Sequence, residues 1–381
     1  MKKQLLILVI PLLIFGACGS PEQKEKGENQ AFDFDFELDT VKVKTGDLLL
    51  AVSGGLSRMA LSPDLNSLYF YNVTNKRLDE IDLESYSIVR SIDFTEEGPK
   101  GIGSLSPYEF HLTEKGEIFT SSFEAIRKMD RNGNLITRLN WDKMDFVAEQ
   151  LPPMTITSFA GDFNDEGTLF FGTYGDSRGG NSSGEGLTII DWADEKVIVK
   201  KIPLLQSLSE YEIVLEGETQ MSSSDQFFLQ ESFGKALIST NGVNGVAIYN
   251  YTSDSLVEKI FSSDLLPKRR AGDYPRKVNS MEALEAATKA KYSEHQFGPF
   301  VFDEKSKRYY RISYFRSVSP VDGEKWNFIL SIFDQNLEHI EDIADFPNFS
   351  GKVFFKDGML HKGINQDDEL YFVRLKPRLS H

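Results

Sequence analysis

The stretch SPDLNSLYFYN, residues 62–72, decides the fold because its layout recurs. A polar turn opens it and an aromatic-aliphatic strand follows. The same order returns as TEKGEIFTSS from Thr113, NDEGTLFFGTY from Asn164, SSDQFFLQES from Ser223, DEKSKRYYRIS from Asp303 and FKDGMLHKGI from Phe355. Successive starts lie 51, 51, 59, 80 and 52 residues apart. Two further strand-like runs follow each of the first five turn-strands. RLDEIDLES and YSIVRSIDF come after Ser62; AIRKMDRNG and NLITRLNW come after Thr113, with Asn132-Gly133 as a hairpin turn. A repeated antiparallel unit of four strands and about 40–50 residues is the signature of a β-propeller.

Six turn-strands predict six blades in an all-β protein. The last unit, residues 352–377, supplies three strands and the chain then ends. FELDTVKVK, residues 36–44, alternates as an edge strand does and is expected to complete that blade, so that an N-terminal strand closes the ring and removes a free edge. The competing readings are a pair of β-sandwiches or an irregular all-β chain. The long interval, residues 266–299, is expected to be a helical insertion. Its middle from Ser280 to about Lys291 is rich in Ala, Leu, Met, Glu and Lys, Asn279 and Glu282 resemble a capping box, and Met281, Leu284 and Ala287 lie at helical spacing.

The 29 Phe and 14 Tyr favour strands. The formal charge of −16 argues against a general affinity for nucleic acid, which needs a basic surface. Lys2-Lys3, an apolar run from Leu5 to Phe15 and then Gly16-Ala17-Cys18 form the layout of an export signal. The last four residues resemble a bacterial lipobox with Phe15 where Leu is usual. Residues 1–17 are thus expected to be a lipoprotein signal peptide, Cys18 the lipidated residue, 18–31 a polar tether and 32–381 the propeller. Cys18 is the only cysteine, so no intrachain disulfide staples the fold. The location implied is the envelope of a Gram-negative bacterium, anchored by lipid, with the outer membrane as the expected site and its face left open.

FGPFVFDEKSKRYYRIS, residues 297–313, together with the KRRAGDYPRK loop and the helix before it, resembles the Bacteroidetes lipoproteins of uncharacterised-domain family 4221. The resemblance runs over most of the mature chain. It implies a location and a propeller-like fold, and carries no catalytic residue. Within FVFDEKSKRYYRISYF, Tyr310, Ile312 and Tyr314 are expected on one face of a strand and Tyr309, Arg311 and Ser313 on the other, each face meeting a neighbouring blade.

Few residues announce chemistry. Gly180-Asn181-Ser182-Ser183-Gly184 matches G-x-S-x-G, but no helix follows to make a nucleophile elbow. Asp162 to Gly167 resembles half a calcium loop; the twelfth position is Thr173 rather than Glu, so an ordinary turn is expected there. No cofactor is indicated, and calcium on another loop stays open. The five histidines show no paired spacing. The least ordinary feature is basic: Lys268, Arg269, Arg270, Arg276 and Lys277 surround Tyr274 within ten residues. Arg269, Arg270, Tyr274 and Arg276 are therefore the candidate ligand- or partner-binding residues, for a protein or glycan partner. The plainer reading is that these arginines pair with the protein's own surplus acids. The expected function is a non-catalytic binding or sensing module; the alternative is a propeller enzyme, of glycan hydrolase or lyase type, with acids at the central channel.

Overall fold

The computed structural model describes residues 34–48, 50, 56, 58–98, 101–103, 107, 109–176, 184–217, 221–223, 225–319 and 323–379. The signal sequence, Cys18, the tether and most of the G-x-S-x-G loop lie outside the described residues. Among the described residues the chain forms six four-stranded antiparallel sheets, five of them meanders in sequence order and the sixth completed by the first strand of the chain. Blade 1 is Met59–Leu61, Ser67–Asn72, Arg77–Asp82 and Ser87–Asp93. Blade 2 spans Glu109–Leu112 to Leu135–Asn140, blade 3 Thr155–Phe163 to Lys196–Lys201, blade 4 Phe227–Ser232 to Ser255–Ile260 and blade 5 Gln296–Asp303 to His339–Ile343. Blade 6 takes Val353–Lys356, Met359–Gln366 and Glu369–Leu379, and its fourth strand is Phe34–Lys42. That strand pairs antiparallel with the last one, from Phe34 opposite Leu379 to Lys42 opposite Tyr371.

Packing follows from the two-residue period of the strands. In blade 1, Leu68 and Phe70 point into a cluster with Phe354 and Phe372 of blade 6, whereas Tyr69 and Tyr71 point into one with Phe110 and Ile118 of blade 2. Comparable clusters fill every interval from blade 2 to blade 6. Each fully buried Phe or Leu contributes about 1.5–3 kcal/mol, so blade-to-blade contact, without a disulfide, carries the stability. The expected face division in the family signature is observed. Tyr310 and Ile312 pack against Phe355 and Leu360 of blade 6, and Tyr309 packs with Leu237 and Val246 of blade 4.

Five of the six recurrent turns join the first and second strands of a blade. They are polar because Asp, Asn or Ser side chains bind the turn backbone: Asn164 Oδ1 accepts from the Thr168 and Leu169 N–H groups at 2.9 and 2.8 Å. The turn-like stretch from Asp162 to Gly167 is therefore a strand end and a tight turn. The fourth unit is a correction. SSDQFFLQES contains the innermost strand of blade 4, Phe227–Ser232, and the matching hairpin lies one strand later. There Phe233 and Gly234, at φ 51° and 73°, make a two-residue turn before the strand Lys235–Thr240, and its cap comes from the preceding strand, where Glu231 Oε1 accepts from the Gly234 N–H at 2.8 Å.

Within each blade the chain runs down, up, down and up, so the connections between blades collect at one end of the ring. The two longest, residues 202–226 and 261–295, build a cap there. Ile213–Leu215 pairs antiparallel with Met221–Ser223 and parallel with Lys277–Val278. The helix Met281–Ser293 packs on this sheet through Leu284 and Ala287. Its N-cap is Ser280, whose hydroxyl accepts from the Ala283 N–H, rather than Asn279. Met281 is half-exposed, and Lys291 instead extends the buried face. Two shorter helices, Asp145–Gln150 and Pro203–Gln206, have no counterpart in the sequence expectations. No described helix is long and apolar enough to cross a membrane.

Candidate functional site

The cation-rich loop is built into the cap. Arg270 Nη1 lies 2.8 Å from Asp225 Oδ1, and Lys291 Nζ lies 2.9 Å from Asp225 Oδ2. All three side chains are at most 1% exposed. Arg270 stacks over the Tyr211 ring at 5.3 Å and donates to Gln296 Oε1. Burial holds the Lys291 amine below the ordinary lysine value, opposed by Asp225. The Tyr274 hydroxyl is buried, donates to the Tyr211 carbonyl at 3.1 Å and is pushed up to about 12 by desolvation. Arg269 and Arg276 stay exposed; Arg269 pairs with Glu210 at 3.3 Å and Arg276 donates to the Glu210 carbonyl at 2.8 Å. Thus Arg270 and Tyr274 hold the two connections together, while Arg269 and Arg276 lie together on the outside beside Glu210.

The sequence expectations assign a binding role to no residue of the axial cavity, although Asp162, Tyr310, Ile312 and Tyr314 border it. A cavity of about 990 Å³ runs along the axis, bordered by the innermost strands of all six blades. Aromatic and aliphatic groups dominate its wall, among them Met59, Phe110, Phe297, Phe302, Tyr314 and Phe354. A few polar groups break it: Glu109 and His111 from blade 2, Asp162 from blade 3, Gln226 and Asn241 from blade 4, and Lys352 beside blade 6. Lys352 Nζ donates to the Met59 carbonyl at 2.8 Å and stands 3.7 Å from Glu109.

The two carboxyls of this wall are driven in opposite directions. Desolvation pushes Glu109 up, with Asp162 adding to it and Lys352 and Arg58 opposing. Desolvation also acts to raise Asp162. It is outweighed by His111, whose Nδ1 lies 3.3 Å from Oδ1, and by the N–H groups of Phe163 and Glu231, so Asp162 is held low. Both side chains are ringed by protein yet remain partly water-accessible, 39% for Glu109 and 30% for Asp162, as expected for groups on a wet channel wall. Among the described residues no group of three or more His, Cys, Asp or Glu is placed to hold a metal ion.

The wall between blades 4 and 5 has a different character. Arg311 is fully buried and faces no carboxylate among the described residues. Its Nε donates to the Gly298 carbonyl at 2.7 Å, Nη1 to Asn244 Oδ1 at 3.1 Å and Nη2 to the Thr240 carbonyl at 2.9 Å. Phe297 and Phe300 cover the guanidinium at 5.2 and 4.8 Å, and burial pushes it down to about 9. The FGP element supplies this geometry. Pairing slips between Phe297 and Phe300, and a Cβ on residue 298 would meet the Ile312 carbonyl oxygen at 2.5 Å, so only glycine fits.

A model of the family described as "Domain of unknown function (DUF4221)" matches residues 31–342. The chain belongs to this family. The crystal structure of a DUF4221 member from Bacteroides vulgatus ATCC 8482 aligns with a TM-score of 0.61 at 13% identity, covering 91% of this chain and 99% of that one. A protein assigned as exported from Bacteroides fragilis NCTC 9343 aligns with a TM-score of 0.51 at 10% identity, covering 91% and 96%. No curated protein matches. At these identities the likeness establishes the DUF4221 propeller fold, and the F-G-P residues with Tyr309 and Arg311 of the signature build the wall between blades 4 and 5, while Tyr310 packs against blade 6.

Proposed function

We propose that this DUF4221 protein is a lipid-anchored cell-envelope propeller that binds a small ligand in its axial cavity without transforming it. The cavity carries the reading. Its volume suits a small molecule, its wall is mostly apolar, and its few polar groups converge from separate blades, as ligand sites do. Anchoring is supported by the Lys2-Lys3 signal layout ending in Cys18 and by the exported assignment of the Bacteroides fragilis neighbour. The test uses extracts of the native envelope. Protein purified from them should carry a small molecule detectable by mass spectrometry, and Ala160→Trp, which fills the cavity from blade 3, should carry none. Equal recovery from both proteins would sink the reading.

A second reading rests on the divergent carboxyls. Glu109 raised and Asp162 lowered is the pattern of an acid and a base, which would suit a glycan hydrolase or lyase. Under it Glu109→Gln would abolish turnover of envelope or dietary glycan while leaving binding intact; a wild-type protein that binds glycan and releases no product removes it.

A further inference from the structure

Three buried cations and one carboxylate lie behind the same wall. Arg270, Lys291 and Arg311 are at most 1% exposed, and among the described residues Asp225 is the only carboxylate in contact with them. The two guanidiniums stay charged at neutral pH, so the set is net positive whichever form Lys291 takes. The next carboxylates act only through space, Glu212 on Lys291 and Glu294 on Tyr274, and the Glu294 oxygens already accept from the N–H groups of Gly272 and Asp273. One turn joins the two arginines: Arg270 N–H donates to the Gly242 carbonyl, and Arg311 donates to Asn244. Asp225 itself borders the cavity, its side chain 1% exposed and paired with Arg270 and Lys291, and the other cavity-facing residues in front are neutral. Asn241 and Gln226 supply amides, and Phe297, Gly298 and Phe300 come from the strand that Arg311 holds. Of the other carboxyls on the wall, Glu109 stands 3.7 Å from Lys352 and Asp162 is held by His111 and the Glu231 N–H. A protein of formal charge −16 thus keeps a buried positive charge beside one side of its cavity. Low-dielectric surroundings focus such a field into a concavity instead of letting solvent screen it.

Resting on the reading of the cavity as a ligand site, we infer that its ligand is an anion on an apolar body, with the anionic group against Gln226 and Asn241 on the wall between blades 4 and 5. A carboxylate, sulfate or phosphate ester all share this chemistry. The amides donate hydrogen bonds, the buried cations supply the field, and the aromatic wall takes the body.

The test compares two dyes with one ring system, 1-anilinonaphthalene-8-sulfonate and its uncharged parent N-phenyl-1-naphthylamine, on the intact mature chain. Fluorescence titration of wild type and of Ala160→Trp isolates the cavity-bound fraction of each. The sulfonate is expected to bind about tenfold more tightly in the cavity than the neutral amine. Gln226→Glu, at a position exposed to the cavity, is expected to weaken the sulfonate by about tenfold and the amine by less than twofold. Gln226→Lys should not weaken the sulfonate. Equal cavity affinity for both dyes, or equal loss of both in Gln226→Glu, overturns the anion preference and leaves the cavity reading standing. Dye binding that Ala160→Trp does not reduce overturns both.

Discussion

At the residue scale, two buried titratable side chains make opposite contributions. Arg311 is a charge without a counter-charge, and its partners are carbonyls and an amide that would have no donor in its absence. Arg311→Met should therefore cost about 3 kcal/mol or more, although a thioether packs well against Phe297 and Phe300. Arg311→Lys should recover only part of that, since one ammonium cannot fork to three acceptors. Urea midpoints at constant slope measure both. His361 is buried between blades 6 and 1, where its Nδ1 donates to the Met359 carbonyl and its Nε2 accepts from Tyr86, each at 2.9 Å. Desolvation, with Arg374 adding to it, pushes its pKa down to about 4. The unfolded chain then binds the proton first. Stability from this site is complete above about pH 6.5 and is lost as pH falls toward 4, by about 3 kcal/mol in all. Unfolding midpoints measured from pH 7 to pH 4 should decline across that window, and a flat profile would contradict a neutral His361.

At the element scale, the strand Phe34–Lys42 and the cap are the parts whose removal should separate cleanly. Val43 N–H bonds the Leu370 carbonyl, so Val41, two residues earlier, aims its own N–H at the same neighbour. Val41→Pro should cost about 3 kcal/mol and expose the edge of Glu369–Leu379, giving aggregates by size-exclusion chromatography. The cap depends on Asp225. Asp225→Asn leaves Arg270 and Lys291 buried without their carboxylate, a loss of about 3–5 kcal/mol. Hydrogen exchange should accelerate over 207–217 and 266–295 while blades 1, 2 and 6 stay protected. The closing strand was legible from its alternation, because an outer strand shows one face to solvent. Blade 4 was mis-phased for a physical reason. The turn through Phe233 and Gly234 has an aromatic residue at its centre and its polar cap, Glu231, inside the strand before it, so the Ser and Asp residues before Phe227 imitate a turn.

At the scale of the whole molecule, the repeat spacing made the ring legible and hid the site. Glu109 and His111, Asp162, Gln226 and Asn241, and Lys352 come from four separate blades, and no local pattern links one set to the next. The one usable sign was a charge or amide on an otherwise apolar innermost strand, which requires the blade phase first. The basic loop was conspicuous because its charges are contiguous, and two of its four candidates serve the cap's interior. The proposed anchoring is tested on the entire chain: Cys18→Ser should shift the protein from the membrane pellet to the soluble fraction and abolish acylation by mass spectrometry. The pairing of Phe34–Lys42 with Glu369–Leu379 has a further consequence, in the order of events during synthesis. The first strand to emerge waits for the last, so the slowest contact to form spans nearly the whole described chain. Blades 1 to 5 can form before Glu369–Leu379 is made, but until then blade 6 holds only two paired strands, Val353–Lys356 and Met359–Gln366, and Phe34–Lys42 has no partner. At the proposed envelope location, that interval leaves the open edges exposed to chaperones and proteases. Any truncation at the C-terminus, however short of the cavity, then leaves both ends of the ring undone.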